Sequence, residues 1–350
     1  MGVNNSKEKY KKLIRAAYAA GLSVFVMVAF VAVLIYGFGA DNRLVKTASC
    51  IIPYPAAVVD WKFISLYDLE NDTNAVKSFY EKQDFSDLGL RVDFSTSDGE
   101  KRLAIKRKNI LSRLIENKLI EEEAKKRGIV LTEEIIDQEV ERKLRDWGSE
   151  EYVKKNVLSL YGWTMEDFKE KVVKPDIYRE KLFADIRETS QSFKEARQKI
   201  EKARKELEDR QNFGEIAGKY SEGESAKNKG DLGWFSYDQM LPEISGVAGK
   251  LEKGKISEIV ESPLGYHIVM VDDKKTEDDQ EKVKIKQIFV RTPNVGDWLS
   301  EKEKNAKINV LAKGIFWNKE SCEVEFVDDS LKDFENNLIN NSKDDISVLF

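Results

Sequence analysis

The residues that could do chemistry in this chain are limited by a single histidine, His267, and by two cysteines, Cys50 and Cys322. One imidazole cannot build a histidine-rich metal site, and it has no second imidazole with which to exchange a proton. The two cysteines are too far apart in sequence to be a CxxC redox pair or a cysteine zinc site. The sequence therefore predicts no metal and no cofactor, and any catalysis must be of another kind than metal or catalytic-triad chemistry.

The charge balance limits the partners. The 350 residues include 58 lysines and arginines against 63 aspartates and glutamates, which gives a net charge of -5. This evenly mixed balance argues against a nucleic-acid partner, because nucleic-acid binders present a concentrated basic face. The length exceeds that of one typical core, so two or more folded units are expected.

The most distinctive segment begins at Ser225 and reads SAKNKGDLGWF. Its glycines, Gly230 and Gly233, predict a tight turn into the start of a strand. Further on, QMLPE leads into a helix, and SPLGYHIVMV reads as a turn followed by a buried strand that carries His267. This order of motifs, over Phe193 to Val271, resembles the parvulin family of peptidyl-prolyl isomerases.

The resemblance implies a site that binds a proline ring and lets the preceding peptide bond rotate. No covalent bond is broken in this reaction, so the site needs only to bind the twisted amide better than either planar form. An apolar slot would hold the ring, while nearby polar groups would form hydrogen bonds with the rotating amide. The implied substrate-binding residues are Leu232, Phe235, Met240 and Ile244, and the implied catalytic residues are His267, Gln287 and Ser262.

Three features depart from the family pattern. Parvulins usually have a cysteine or an aspartate at the position matching Gly223, and a phenylalanine at the position matching Ile244. They also begin with a strand of His-hydrophobic-hydrophobic-Val type ahead of the charged helix, where this chain has the polar residues ETSQS at 188–192. Each departure lowers the isomerase activity that the resemblance implies.

A replacement for the missing strand lies downstream. Residues 283–290 read VKIKQIFV, which has the alternation of a strand. Gln287 stands where the family's first strand has its histidine, so the usual histidine pair would become an amide–imidazole pair. Two interpretations remain open: the strand completes the sheet as a hairpin partner in a circularly permuted order, or Val283 begins a second, truncated repeat.

The region before this unit has the periodicity of helices. Leu111, Leu114, Ile115 and Leu119 recur at steps of three and four residues, and Gly128 stands where the helix should end. Thr132 and Thr164 are predicted to cap the next two helices, and Pro175 to begin a fourth. A short strand is predicted near Val58. The string ILSRLIENKLIEEEAKKRGI at 110–129 resembles the N-terminal chaperone domain of the SurA, PrsA and PpiD group of folding factors, and the resemblance covers Ile52 to Glu188. It implies a domain that cradles unfolded clients.

The chain opens with an apolar segment from Ala16 to Ala40 that contains no charged side chain. This is long enough to span the roughly 30 Å hydrocarbon core of a bilayer. Lysines and one arginine precede it, so the positive-inside rule predicts a cytoplasmic N-terminus and extracytoplasmic domains. A cleaved signal peptide is the alternative, but its apolar region is shorter.

Together these observations predict an α+β protein with a single N-terminal transmembrane helix, a helical SurA-N-like domain, and a parvulin-like antiparallel sheet flanked by helices. The tail is expected to contain a short helix near Trp298, strands at 308–311 and 323–327, and a mobile end. The predicted limits are a basic cytoplasmic N-terminus at 1–15, a transmembrane helix at 16–40, the helical domain at 50–190, the isomerase domain at 191–292, and a C-terminal extension at 293–350.

Two functions from different classes follow. The first is a membrane-anchored isomerase that acts on X-Pro bonds of unfolded or newly translocated polypeptides outside the cell membrane. The second is a holdase or assembly factor with a degenerate parvulin domain. A purely structural envelope protein would leave the GDLGWF motif unexplained.

Overall fold

The structure is a computed structural model that describes residues 17–18, 20–38, 43–83, 93–210, 212–277 and 280–341. The described chain forms two compact units, one up to Arg179 together with the residues from Lys302 onward, and the other from Glu180 to Glu301. The predicted cytoplasmic segment at 1–15 and the last residues of the tail, 342–350, lie outside the described residues.

The first unit is mainly helical. Its helix α1, Ala20–Phe38, is long and apolar enough to cross a membrane by length and composition, a test that a signal sequence also passes. The helices and strands that follow are α2 (Arg43–Ile51), β1 (Pro55–Val59), β2 (Lys62–Ser65), α3 (Leu66–Lys82), α4 (Ser97–Lys126), α5 (Glu133–Trp147), α6 (Glu150–Val153), α7 (Ser159–Tyr161), α8 (Met165–Phe168) and α9 (Lys174–Thr189), of which α9 continues into the second unit.

The ends of these helices lie where the capping residues predict them. Gly128 follows α4 with φ +79°, and the amide of Ile129 donates to the carbonyl of Ala124, which closes the helix. The Thr132 side chain accepts a hydrogen bond from the amide of Ile135 at the start of α5. Local hydrogen bonding is therefore sufficient to fix these boundaries.

The helix predicted to begin at Pro175 is present as α9, which begins one residue earlier, at Lys174, and is continuous with the helical turns before it. The chain is helical from Met165 through a π-helical turn at Lys169–Val173 into α9, with Pro175 as the second residue of α9. Proline lacks a backbone N–H, and a wider turn just before it is one way for a helix to accommodate that loss.

The tail returns to the helical unit, which the sequence alone did not predict. After α14 (Val295–Asn305), strand β7 (Ile308–Val310) pairs antiparallel with β1, and β8 (Ile315–Asn318) pairs with β9 (Glu323–Phe326). Helix α15 (Asp329–Asn341) follows, and its Glu335 forms an ion pair with Lys108 of α4 at 2.7 Å. The predicted strands at 308–311 and 323–327 are present as β7 and β9.

The second unit is a four-stranded antiparallel sheet with helices on both faces. Its elements are α10 (Gln191–Arg210), α11 (Phe213–Tyr220), α12 (Glu224–Lys227), β3 (Asp231–Ser236), a 3₁₀ turn at Tyr237–Gln239, α13 (Pro242–Lys250), β4 (Val260–Ser262), β5 (Gly265–Glu277) and β6 (Gln280–Arg291). The strand order is β3-β6-β5-β4, so the last strand in sequence is an inner strand of the sheet.

The alternation of side chains along β5 and β6 separates two cores. Ile268 and Ile288 face α10 and α11 and pack with residues such as Ile200. Residues on the other face of the same strands, including Val269 and Ile285, pack with α13. Because a strand alternates its side chains between faces, both faces of the sheet are buried by different helices.

The hairpin interpretation of residues 283–290 is confirmed. Strand β6 pairs with β5 along its length, with Ile268 opposite Ile288, and on its other edge it pairs with β3. The alternative of a second repeat beginning at Val283 is wrong for the same reason. Residues 188–192 form the end of α9 and the start of α10, so no strand precedes the charged helix in the described part of this unit.

Candidate functional site

The polar residues predicted for the site meet on the face of the sheet that carries α13. His267 on β5 lies opposite Phe289 on β6, and Gln287 lies opposite Val269. His267 and Gln287 are therefore diagonal neighbours on adjacent strands, within reach of each other's side chains. The ring of Phe289 stacks on the imidazole, with the centroids 4.8 Å apart.

A hydrogen-bonded chain connects the three predicted polar residues. The Oγ atom of Ser262 is 2.7 Å from Nε2 of His267, and Nδ1 of His267 is 3.1 Å from Oε1 of Gln287. Because Oε1 of Gln287 can only accept a hydrogen bond, Nδ1 of His267 carries the proton. The neutral ring must then accept a hydrogen bond from the Ser262 hydroxyl at Nε2. The oxygen of Ser262 in turn accepts the amide of Leu264 at 3.1 Å. One tautomer of His267 is thereby selected.

Burial disfavours the charged form of this imidazole. His267 is only 2% exposed, and burial lowers the pKa of His267 below its ordinary value, although the hydrogen bond to Gln287 and the charge of Glu243 both oppose the change. The ring is therefore neutral near pH 7. Ser262 is also buried, whereas Gln287 and Phe289 are partly exposed.

The predicted apolar residues belong to one cluster on the same face. Leu232, Phe235 and Met240 are partly buried and pack against a core that includes Ile244 and Val269. Ile244 is 3% exposed and belongs to the buried core of this cluster, so it does not itself form the surface. The four predicted substrate-binding residues are thus brought together, with Leu232, Phe235 and Met240 accessible to a ligand.

The turn before β3 depends on a glycine. Gly230 has φ +86°, and a Cβ atom there would lie 3.1 Å from the carbonyl oxygen of Gln287 and 3.0 Å from Cβ of Ala217. The amide of Gln287 donates to the carbonyl of Gly230 at 2.8 Å. This close approach holds the start of β3 against the segment of β6 that carries Gln287.

Comparison with known proteins assigns both units to described families. The model of the SurA-like N-terminal domain matches residues 9–183, which is half of the chain. The chain belongs to this SurA-like family. The model of the PPIC-type peptidyl-prolyl isomerase domain matches residues 182–273, so the second unit of this SurA-like protein is a domain of that type.

Individual relatives of this SurA-like protein are foldases and chaperones by name. The foldase protein PrsA of Geobacillus kaustophilus is 32% identical over 48% of this chain and 63% of its own length. The chaperone SurA of Methylobacillus flagellatus is 36% identical over 31% of this chain and 26% of its own. The chain thus spans less than two thirds of these two relatives. The solved structure of the peptidylprolyl isomerase PrsA of Bacillus anthracis is 22% identical over 67% of this chain and 97% of its own, and its TM-score of 0.20 is too low to bear on the argument.

The match to the isomerase domain ends before β6 begins. It stops at residue 273, whereas Gln287 and Phe289 lie on β6, Gln280–Arg291. Two of the partners of His267 in this SurA-like protein are therefore supplied by a strand outside the matched segment. The alternation in residues 283–290 was the signal that identified Gln287, but nothing in it indicated that Phe289 would stack on the imidazole.

Glu243 is a further residue of the site that sequence reasoning missed. It stands between the site residues Met240 and Ile244, and its charge acts on His267. An acidic residue in the first turn of a helix, as here in α13, is ordinarily explained by the helix dipole. No signal in the sequence distinguishes a carboxylate with a buried oxygen, as here at Oε2, from one that is fully solvated.

The presence of a glycine at position 223 also has a structural reason. Its φ is +102°, a conformation that a cysteine or an aspartate rarely adopts. A Cβ atom there would come 4.0 Å from Cδ1 of Phe289, so the backbone of this segment passes beside the aromatic ring. The departure from the family pattern at this position therefore involves the backbone as well as the missing side chain.

Proposed function

We propose that this protein is a membrane-anchored, extracytoplasmic foldase whose second unit catalyses cis/trans isomerisation of X-Pro bonds in unfolded or newly translocated polypeptides. The observation that supports this most is the chain of hydrogen bonds from Ser262 through His267 to Gln287, next to the partly exposed apolar residues of the same face. The apolar helix Ala20–Phe38 supports the anchor. The basic residues that precede this helix support a cytoplasmic N-terminus, with the domains that follow the helix outside.

The burial of the site residues suggests which of them contact the client and which hold other side chains in position. Leu232, Phe235 and Met240 would hold the proline ring, with Ile244 beneath them. His267 and Ser262 are almost fully buried, so their proposed role is to position Gln287 and not to touch the client. Gln287 keeps its oxygen toward the imidazole, which leaves its NH₂ group to donate to the client.

A donor at this position has a physical reason to accelerate rotation. The barrier of about 18–20 kcal/mol arises from conjugation of the nitrogen lone pair with the carbonyl. When the amide twists, the nitrogen recovers its lone pair and becomes an acceptor, so a donor that reaches it stabilises the twisted form more than the planar forms. A hydrogen bond gained only in the twisted form, worth about 1.4 kcal/mol, would increase the rate tenfold.

The decisive experiment measures isomerisation of a proline tetrapeptide by NMR exchange, with binding of the same peptide measured separately. We expect the wild type to turn over well below the rate of a typical parvulin, because Gln287 replaces an imidazole and Ile244 replaces an aromatic ring. Met240→Ala should weaken peptide binding through loss of apolar contact. Met165→Ala is the matched control, because Met165 packs in the helical unit. Equal loss of binding in both variants would contradict the proposed proline site.

A second variant tests the amide–imidazole pair. Gln287→His should raise turnover if a second imidazole in this place can still accept from Nδ1 of His267. A holdase without isomerase activity is the alternative function, and the 2% exposure of His267 is the observation that favours it. Suppression of aggregation of an unfolded protein, with no turnover in the wild type or in Gln287→His, would establish that alternative.

A further inference from the structure

Phe289 is an aromatic residue of the site that takes no part in the hydrogen-bonded chain. One face of its ring stacks on the imidazole of His267, with the centroids 4.8 Å apart and the planes inclined by 27°. Phe289 is nevertheless partly exposed. Because the imidazole covers one face of the ring, the exposed part is the opposite face or the edge, and either of these can contact a client.

The backbone of Phe289 is fixed by the loop between α11 and α12. Its amide donates to Oγ of Ser221 at 2.9 Å, and its carbonyl accepts from the amide of Glu222 at 2.6 Å. Gly223 follows in this loop and is exposed, and a Cβ atom there would lie 4.0 Å from Cδ1 of Phe289. The ring is therefore held in place beside a residue that adds no side chain to cover its edge.

The register of the sheet places the apolar residues of the site and Phe289 on opposite sides of Gln287. Phe235 on β3 lies opposite Val283 of β6. Leu232 lies in the bulge of the same strand, which also precedes the level of Gln287. Phe289 follows Gln287 by two residues on the same face, a distance of about 7 Å along the strand.

A client that binds as proposed must follow the same order. In an X-Pro bond the prolyl nitrogen joins the pyrrolidine ring on one side to the preceding residue on the other. With the ring against Leu232 and Phe235 and the nitrogen at the NH₂ group of Gln287, the preceding residue extends toward Phe289. An extended chain advances about 3.3–3.6 Å per residue, so a large side chain on that residue covers the remaining distance to the aromatic ring.

We propose that Phe289 is a specificity-determining residue that binds the side chain before proline and favours an aromatic one. This inference rests on the proposed isomerase function, from which it takes the position of the prolyl nitrogen. Two aromatic rings attract each other in offset or edge-to-face contact beyond the effect of burying their apolar area. An aromatic side chain therefore gains more from the exposed part of this ring than a small side chain does.

The charged groups around Phe289 define the competing preferences. The carboxylate of Glu222 is engaged by Lys199 and by the amide of Arg291, so it is not free to select a basic residue. The side chain of Arg291 is exposed, two residues beyond Phe289 on β6. Arg291 would favour an acidic residue, but Phe289 is closer to Gln287 along the strand and is reached first by the residue before proline.

The test measures NMR exchange on the peptides Ala-Xaa-Pro-Ala, where Xaa is Phe, Ala or Glu, with the full-length protein in detergent micelles. We expect kcat/KM for the Phe-Pro peptide to be about fivefold that for the Ala-Pro peptide, the effect of one aromatic contact. The Glu-Pro peptide should be no better than Ala-Pro. Phe289→Leu keeps an apolar side chain but loses the ring, so it should bring the ratio of Phe-Pro to Ala-Pro close to one. Phe289→Tyr keeps the ring and should keep the ratio.

The ratio between two peptides separates selection from positioning of the imidazole. Loss of the stack on His267 would slow all peptides alike, so a lower rate with an unchanged ratio in Phe289→Leu would overturn the proposal. Phe213→Leu is the matched control, because Phe213 belongs to the core on the other face of the sheet, and it should leave the ratio unchanged. A wild type that prefers Glu-Pro to Phe-Pro would assign the selection to Arg291 and would also overturn the proposal.

Two further outcomes have their own criteria. If Phe289→Leu does not fold, Phe289→Met decides by the same ratio. If the wild type isomerises none of the peptides, the proposed function fails, and the affinities of the same peptides, measured by NMR titration, decide whether Phe289 selects the residue before proline. Equal affinities of the wild type for Phe-Pro and Ala-Pro would then refute the selection.

Discussion

Removal of strand β6 is expected to unfold the second unit. Val283, Ile285, Ile288 and Val290 are each at most 2% exposed, and they contribute to both cores of the sheet. Burial of such a side chain is worth about 1.5–3 kcal/mol, so the four together account for about 6–12 kcal/mol. A domain of this size is stable by only about 5–15 kcal/mol. The loss would also expose the inner edges of β3 and β5, which both pair with β6.

The comparison uses two fragments, one of residues 180–301 and one of residues 180–275. We expect the longer fragment to unfold cooperatively in urea, followed by circular dichroism, and the shorter one to show no cooperative transition. Ile288→Ala in the longer fragment gives an intermediate case. It should lower the free energy of unfolding by about 2–5 kcal/mol, because it leaves a cavity at a fully buried position. The reasoning is refuted if the shorter fragment unfolds cooperatively with a stability within about 1 kcal/mol of the longer one, a difference that packing of four buried side chains should far exceed.

Three other predictions concern charge, backbone and topology. Burial and two neighbouring glutamates raise the pKa of Glu303 to about 7 from 4.5, so the folded state loses stability as the pH rises through this interval. Glu303→Gln should stabilise the protein by about 1 kcal/mol at pH 8, after allowance for solvent screening, and not at pH 4. Urea denaturation at both pH values measures this, with Glu151→Gln as an exposed control, and an equal gain at both would contradict it. Gly230→Ala should lower the free energy of unfolding by about 1–3 kcal/mol in the same assay, because φ is +86° and the new Cβ would lie 3.1 Å from the carbonyl oxygen of Gln287. An unchanged urea midpoint would show that the turn tolerates a side chain. A reporter fused after Phe350 should be active only outside the cell membrane, and activity in the cytoplasm would contradict the proposed topology.

The sequence by itself determined the local features of this protein. Capping residues such as Thr132 and Gly128 fixed helix ends because their hydrogen bonds involve only neighbours a few residues away. The alternation in residues 283–290 indicated a strand, and the motif around Gly230 indicated a turn into β3. The order of the motifs from Phe193 to Val271 was enough to recognise the type of domain.

Only the tertiary structure decided which distant segments become neighbours. The alternation of apolar and polar residues along a strand indicates which face of the sheet a side chain occupies, but not which strand lies beside it. The hairpin of β5 and β6 was therefore one of two open interpretations, and the pairing of β7 with β1 went unpredicted. The action of Glu243 on His267 is of the same kind, since the two residues lie on a helix and a strand that meet only in the folded unit. Electrostatic and packing interactions depend on distance in space, and for segments this far apart in the chain that distance is set by the whole fold.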